Sequence, residues 1–380
     1  MSRMVAPDIP HASVRISRWR RFRAAINWPL VITMLVLCAV ALFNLYSATH
    51  GTKHHAKFDQ QLRFMLIGWV VFVVATVVDY RTFVRLAWPA VIAAIGLLLV
   101  VRLLGEGAHG KGSYRWLNIG AFGIQPSEAA KLAIILGLAK LSLDAEVRKL
   151  ARQEAALKVG LLIAPVLLIA VQPDLGTATL LALIIMTVGF LCMANLRPMV
   201  YATLGILLVI PLLWDKMHVY QKNRILAFID PSADPTGNGW HTRQSIFAVG
   251  SGRFWGKGYS EGTQNQFDFL PEHWTDFPFS VLAEEWGFVG SSLVLMVFVF
   301  LIVWIVNVAL TARDRCGAVI CMGVAAMTFW HVFVNVAMVL GLAPVVGVTL
   351  PFISYGGSSV LVFFAAMGLV SNVSLRKYGY

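Results

Sequence analysis

Four carboxylates, Glu272, Asp276, Glu284 and Glu285, stand among Trp and Phe in LPEHWTDFPFSVLAEEWGFVG (270–290), directly before the apolar run SSLVLMVFVFLIVWIV. Asp276 precedes Pro278, and Ser280 and Glu284 follow at steps of four, so a helix here would carry all three on one face. As the N-cap of that helix, Asp276 would accept backbone N–H bonds and stay ionised. A carboxylate held ionised at the rim of a membrane cavity is also what a general base requires. Glu272 reads as loop surface. Glu284 and Glu285 lie deeper, where a cationic partner or a shared proton is expected.

Three further clusters carry polar groups at the ends of apolar runs. In QPSEAAK (125–131), Pro126 and Ser127 supply a helix start, and Glu128 and Lys131 stand three apart on one face. A lysine in a first turn opposes the helix field, and an intramembrane cation calls for a functional reason. In QPDLGT (172–177), Asp174 either caps the next helix or serves the site. In SYGGSS (354–359), the pair Gly356–Gly357 permits close helix packing, the favoured reading, or presents backbone N–H groups to a phosphate beside Ser354. His50 and His54 have helical metal-ligand spacing but no third ligand nearby. Cys38, Cys192, Cys316 and Cys321 form no CxxC pair and read as reduced structural thiols.

The elements that must position these groups are membrane spans. Of the 380 residues, 58% are hydrophobic and 13% charged, with a net charge of +12, which describes a polytopic membrane protein rather than a soluble domain. The basic excess fits the positive-inside bias and attraction to anionic lipid, and no basic stripe interleaved with aromatics points to nucleic acid. Ten apolar runs are long enough to cross: 28–48, 62–79, 86–104, 127–143, 157–172, 177–194, 199–214, 284–309, 317–341 and 356–374. If they alternate, Arg81 and Arg85, Arg148 to Arg152, Arg197, Arg313 and Arg315, and Arg376 and Lys377 all fall on one side, the cytoplasmic side, with both termini. The expectation is an all-α fold: a basic tail at 1–27, then one membrane domain at 28–380 whose first span is a retained anchor. Two long outer connections follow, about 105–126 and 215–275, and RILAFID (224–230) suits an interfacial amphipathic helix.

QPSEAAK, QPDLGT, YQKNRILAFIDP, RQSIFAVGSG, GKGYSEGTQNQFDFLPEHWTDF and PFISYGGSS, in this order, closely resemble the motifs of the SEDS family of bacterial cell-wall polymerases. GTQNQF, VLAEEWG and APVVGV look like the elongation branch of that family, whereas TLPFISYGGSS is closer to its division branch. The resemblance implies a ten-span peptidoglycan glycosyltransferase of the bacterial inner membrane that polymerises lipid II, with a class B penicillin-binding protein transpeptidase as partner. Asp276 matches the essential aspartate of the family, and Glu128, Lys131 and Asp174 match other functional positions. Trp274 stands where His is usual, and Arg253 replaces a Gly of the GSGG run.

The family reaction turns an α-linked sugar diphosphate into a β-1,4 link, so configuration inverts in one displacement. Glycosidases need a second carboxyl to protonate a poor leaving group. A lipid diphosphate departs as an anion and calls for cations instead. Asp276 is then the base for the acceptor hydroxyl, and Lys131, oriented by Glu128, holds diphosphate oxygens. Arg115, Arg224, Arg243 and Lys257 are further cations on the same side. Mg²⁺ or Mn²⁺ would suit the diphosphate, although no all-protein cage is visible in the sequence. The rival reading is a lipid II flippase, for which buried charges and Gly-broken spans serve equally well. A scaffold that merely recruits a transpeptidase leaves Lys131 without a purpose.

Overall fold

The computed structural model describes residues 26–49, 54–104, 106–107, 114–119, 122–148, 152–192, 217, 219–230, 237–266 and 274–378. The chain runs α1 (Trp28–Thr49), α2 (Ala56–Val77), the short α3 (Tyr80–Arg85) and α4 (Ala87–Leu104). After the first long connection come α5 (Pro126–Arg148), α6 (Arg152–Val171) and α7 (Leu175–Cys192). The second long connection carries α8 (Val219–Ile229), α9 (Asn238–Ser251) and α10 (Thr263–Gln266), and α11 (Pro278–Leu310), α12 (Arg315–Val339) and α13 (Gly357–Leu375) close the fold.

Seven of the described helices are long and apolar enough to cross a membrane: α1, α2, α6, α7, α11, α12 and α13. Helix α4 contributes a shorter apolar helix over Ala87–Leu103. Helix α5 is 23 residues long but carries Glu128, Lys131, Lys140 and Asp144 along its length. The expected span at 199–214 lies outside the described residues. The all-α expectation needs one correction. The first long connection holds a three-stranded antiparallel sheet, β1 (Glu106–Gly107), β2 (Tyr114–Ile119) and β3 (Phe122–Ile124), with Leu117 opposite Ile124 and Ile119 opposite Phe122. Only Gly120 and Ala121 separate β2 from β3, and Tyr114, Trp116, Ile119, Phe122 and Ile124 give these two strands their β-forming residues.

Helices in lipid gain little from the hydrophobic effect on pairing, so close backbone approach and buried hydrogen bonds hold them together. Helices α2 and α13 show both. A Cβ on Gly68 would lie 2.5 Å from the Phe364 ring, and one on Gly368 would lie 2.7 Å from the Phe72 carbonyl oxygen. Asn372 Nδ2 donates to the Ala75 carbonyl at 2.7 Å, and Gln61 Nε2 donates to the Ser354 carbonyl at 3.3 Å. At the other side of the bundle Asn44 Nδ2 ties α1 to the start of α11 through the Pro278 carbonyl.

Helix α11 is broken near its N-terminal end. Gly287 sits at φ +65°, and a Cβ there would meet the Gly256 nitrogen at 2.2 Å. The break releases backbone groups that buried structure must satisfy. Segment 253–258 supplies the partners. Lys257 and Gly258 donate to the Glu284 and Glu285 carbonyls, while Phe288 and Val289 donate to the Arg253 and Phe254 carbonyls. Arg253 takes φ +50° in this strap, a left-handed backbone that suits the glycine usual in its motif.

Candidate functional site

Helix α5 begins at Pro126 as its sequence requires, and Glu128 and Lys131 meet on one face. Lys131 Nζ donates to Glu128 Oε1 at 2.7 Å, with the two side chains 1% and 6% exposed. A second contact comes from α12: His331 Nε2 lies 2.9 Å from Lys131 Nζ. The other ring nitrogen, Nδ1, lies 2.9 Å from the Thr349 carbonyl, so Nδ1 carries the proton and Nε2 accepts from the ammonium. Thr349 Oγ1 pairs in turn with Ser359 Oγ at 2.9 Å on α13. Two donors of Lys131 are therefore fixed and the third has no partner among the described residues. Glu128 Oε2 is buried with no hydrogen-bond partner, an open acceptor beside that ammonium.

Asn335 lies one turn along α12 from His331, on the same face. Its Nδ2 donates to the Asp276 carbonyl at 2.9 Å and to the Val348 carbonyl at 2.7 Å. Segment 345–349 thus lies against α12, held by Asn335 at Val348 and by His331 at Thr349. Asp276 is half-buried in the turn 274–276. The capping expectation for Asp276 is corrected: α11 starts at Pro278, so Phe277 holds the cap position and makes no side-chain cap bond. One residue outside the cap, the Asp276 carboxylate reaches segment 345–349, where a Cβ on Gly347 would lie 3.3 Å from Oδ2.

The other nominated residues divide by what they touch. Asp174 caps α7, accepting from Thr177 N at 3.2 Å and Thr177 Oγ1 at 3.0 Å. Lys257 pairs with Glu284 at 2.5 Å, and the same carboxylate oxygen accepts from Thr263 Oγ1 and Gln264 N. That is the cationic partner expected for Glu284, and it engages Lys257 in the strap. Glu285 accepts from Ser47 on α1 and from the Ser260 backbone. Ser280, expected to share a face with Asp276, bonds Ser245 of α9 at 2.8 Å. Ser354 Oγ accepts from Leu350 N, and the Gly356 N–H goes to Gln61 Oε1. Gly357 packs on Phe64, where a Cβ would lie 2.8 Å from the ring, as the packing reading requires. Arg224 on α8 and Arg243 on α9 are half-buried, and Arg115 lies on β2. Glu272 and His50 fall outside the described residues. Trp274, in the position usual for His, packs at a tilt against the His54 ring, centroids 4.5 Å apart, and lies under Lys57 Nζ at 3.4 Å. Among the described residues no group of three or more His, Cys, Asp or Glu is placed to hold a metal ion.

His331 and Asn335 are the residues that sequence reasoning missed. Their signal was present: two fully polar side chains at i and i+4 inside the apolar run FWHVFVNVAMV. Together they hold a buried ammonium and the backbone of a half-buried carboxylate on one face of one helix.

Comparison with known proteins matches the chain to a family. Residues 23–379 match the family model for FtsW, RodA and SpoVE, described as cell cycle protein. The chain is 37% identical over 349 residues to the peptidoglycan glycosyltransferase MrdB of Escherichia coli K12, covering 92% of both chains. It is 35% identical over 360 residues to the stage V sporulation protein E of Bacillus subtilis, covering 91% of this chain and 96% of that one. Among solved structures it resembles a chain from a peptidoglycan synthase complex that coordinates polymerization and crosslinking, with TM-score 0.78, 30% identity and coverage of 94% and 99%. It also resembles the rod shape determining protein RodA of Thermus thermophilus, with TM-score 0.68, 27% identity and the same coverage.

Proposed function

This chain belongs to the FtsW, RodA and SpoVE family of cell cycle proteins, and from that membership we propose how it works as a peptidoglycan glycosyltransferase of cell-wall elongation. It is a multi-pass membrane protein. In our reading it sits in the bacterial inner membrane and polymerises lipid II into β-1,4 glycan, releasing undecaprenyl diphosphate. The crosslinking partner is a class B penicillin-binding protein, consistent with the synthase complex that the fold resembles.

The observation that carries the mechanism is the common mounting of Lys131 and Asp276 on α12, through His331 and Asn335. Asp276 takes the proton of the acceptor hydroxyl as that oxygen attacks the donor anomeric carbon. Lys131 directs its third N–H to the departing diphosphate, whose negative charge grows as the glycosidic C–O bond breaks. Its other two donors are already held, so little reorganisation accompanies the transition state. Lys257 is engaged by Glu284 and serves the strap over the α11 break. Arg115, Arg224 and Arg243 are the further cations we assign toward the substrate.

Asp276→Asn keeps the size and the backbone bond from Asn335 but removes the base. Detergent-purified Asp276→Asn is expected to polymerise lipid II roughly 10²–10⁴-fold more slowly than wild type. A wild-type rate would end the base assignment. Glycan made by purified wild type with no bilayer present separates the polymerase from a flippase or a scaffold, neither of which forms the bond.

A further inference from the structure

At the end of the bundle opposite Asp276 lies a cavity of about 650 Å³ between α3, the inner half of α5 and the turn from α11 to α12. Its wall carries Arg81, Arg85, Lys140, Arg313 and Arg315 against one acid, Asp314. That acid is spent within the fold. It accepts from Tyr80 Oη at 2.5 Å, from Arg81 at 3.2 Å and, as the N-cap of α12, from Gly317 N at 2.8 Å. Lys140 shares Asp144 with Lys158, which also pairs with Glu154, so neither of these two acids is spare for the cavity. Arg315 donates to the neutral Cys192 carbonyl at 2.8 Å. Arg85 and Arg313 are exposed and carry no ion pair among the described residues.

We propose that this cavity binds the phosphate headgroup of an anionic membrane lipid. Uncompensated cations around a concave site recognise phosphate oxygens, and guanidinium forks do so with two parallel bonds. The source is a lipid because the rim lies at the level where headgroups lie. Leu86, immediately after Arg85, is 56% exposed, and Leu310, just before the turn that bears Arg313, is 80% exposed. Apolar side chains so exposed beside the rim would face acyl chains, which a free anion lacks. The side is the one to which the chain's Arg and Lys excess assigns the cytoplasm, where anionic lipid attracts basic clusters.

The test uses the full chain in nanodiscs of phosphatidylcholine titrated with tetraoleoyl cardiolipin, with retained lipid counted by native mass spectrometry. Wild type is expected to hold cardiolipin in preference to phosphatidylcholine. Arg85→Gln/Arg313→Gln, which breaks no ion pair, is expected to weaken retention about 30-fold, the weight of two cations near a membrane surface. Arg85→Lys/Arg313→Lys should recover most of it. Arg63→Gln/Arg102→Gln removes the same charge from exposed positions at the other end of α2 and α4 and should leave retention near wild type. Equal loss in both Gln pairs, or none in the first, would overturn the site. Saturation by millimolar inorganic phosphate in detergent without cardiolipin retention would overturn the lipid assignment.

Discussion

Replacing Lys131 by Met, alone and together with Glu128→Met, separates what the buried pair does for the fold from what it does for chemistry. The two side chains are 1% and 6% exposed and 2.7 Å apart. Removing one partner of such a pair costs about 3–5 kcal/mol, because the other charge stays buried without compensation. Lys131→Met also takes the donor from His331 Nε2, which adds about 1–3 kcal/mol for an unsatisfied buried acceptor. Removing both charges is different: replacing a whole buried pair by apolar side chains of similar volume is often neutral or stabilising by about 1–4 kcal/mol. The double variant therefore regains most of the stability that Lys131→Met loses, while the diphosphate still lacks its ammonium. Loss of one preorganised electrostatic donor costs about 10²–10³ in rate. Thermal inactivation at fixed scan rate in one detergent reads the first quantity, since such proteins unfold irreversibly. Lipid II polymerisation on gels reads the second. A double variant that is stable and polymerises at the wild-type rate would show the pair to be packing alone. A double variant as labile as Lys131→Met would refute the reasoning about uncompensated charge.

Gly347→Ala forces a side chain onto φ +72° and places its Cβ 3.3 Å from Asp276 Oδ2, so it should lower kcat with lipid II KM nearly unchanged; wild-type kcat would exclude contact between that segment and the base. His331→Leu should slow polymerisation at least about tenfold, the scale of a donor lost to misorientation, and a purified variant with full activity would remove His331 from the site. Asp174→Ala removes the two bonds from Thr177 and should cost about 1 kcal/mol in thermal stability, and an unchanged unfolding temperature would contradict the cap. Asp314 gives a pH dependence. Burial pushes its carboxyl up, but hydrogen bonds from Tyr80, Gly317 N and Arg81 outweigh that and hold it below the ordinary 3.8. A depressed folded pKa contributes stability that is present above 3.8 and lost as pH falls through the folded value. The stability gap between wild type and Asp314→Ala should therefore be open at pH 7 and narrow below 3.8, and a gap constant over that range would refute it.

Local features of the sequence read through to the structure where the interaction is itself local. Glu128 and Lys131 sit three residues apart on one helix, and Asp174 and Thr177 three apart across a helix start, so spacing alone brings each pair together. Seven of the ten expected spans read through as long apolar helices among the described residues, because length and hydropathy are properties of one segment. Contacts across the fold did not. Lys257 and Glu284 are joined by a strap whose existence depends on the break at Gly287, and a glycine in an apolar run does not announce a break. The Asp276 cap failed by one residue, because Pro278 opens the helix and moves the cap to Phe277. The sheet after α4 escaped notice because strands of two, six and three residues leave almost no periodicity to read.

The common mounting on α12 has a mechanical consequence. His331 and Asn335 are one helical turn apart, so a tilt or shift of α12 moves both by nearly the same vector. Through them it carries Lys131 and the backbone of Asp276 together, along with segment 345–349, which each of them also bonds. Two separate loops bearing the base and the cation would change their separation with every such motion, and catalytic geometry tolerates little of that. The strap behind them works in the same direction. Glu284, held by Lys257, Thr263 and Gln264, pins the outer stub of α11 to the loop that crosses its break. That stub begins two residues after Asp276. On the proposed mechanism, His331, Asn335 and Glu284 fix the distance between the base and the cation, which explains why membrane helices tolerate these buried polar groups.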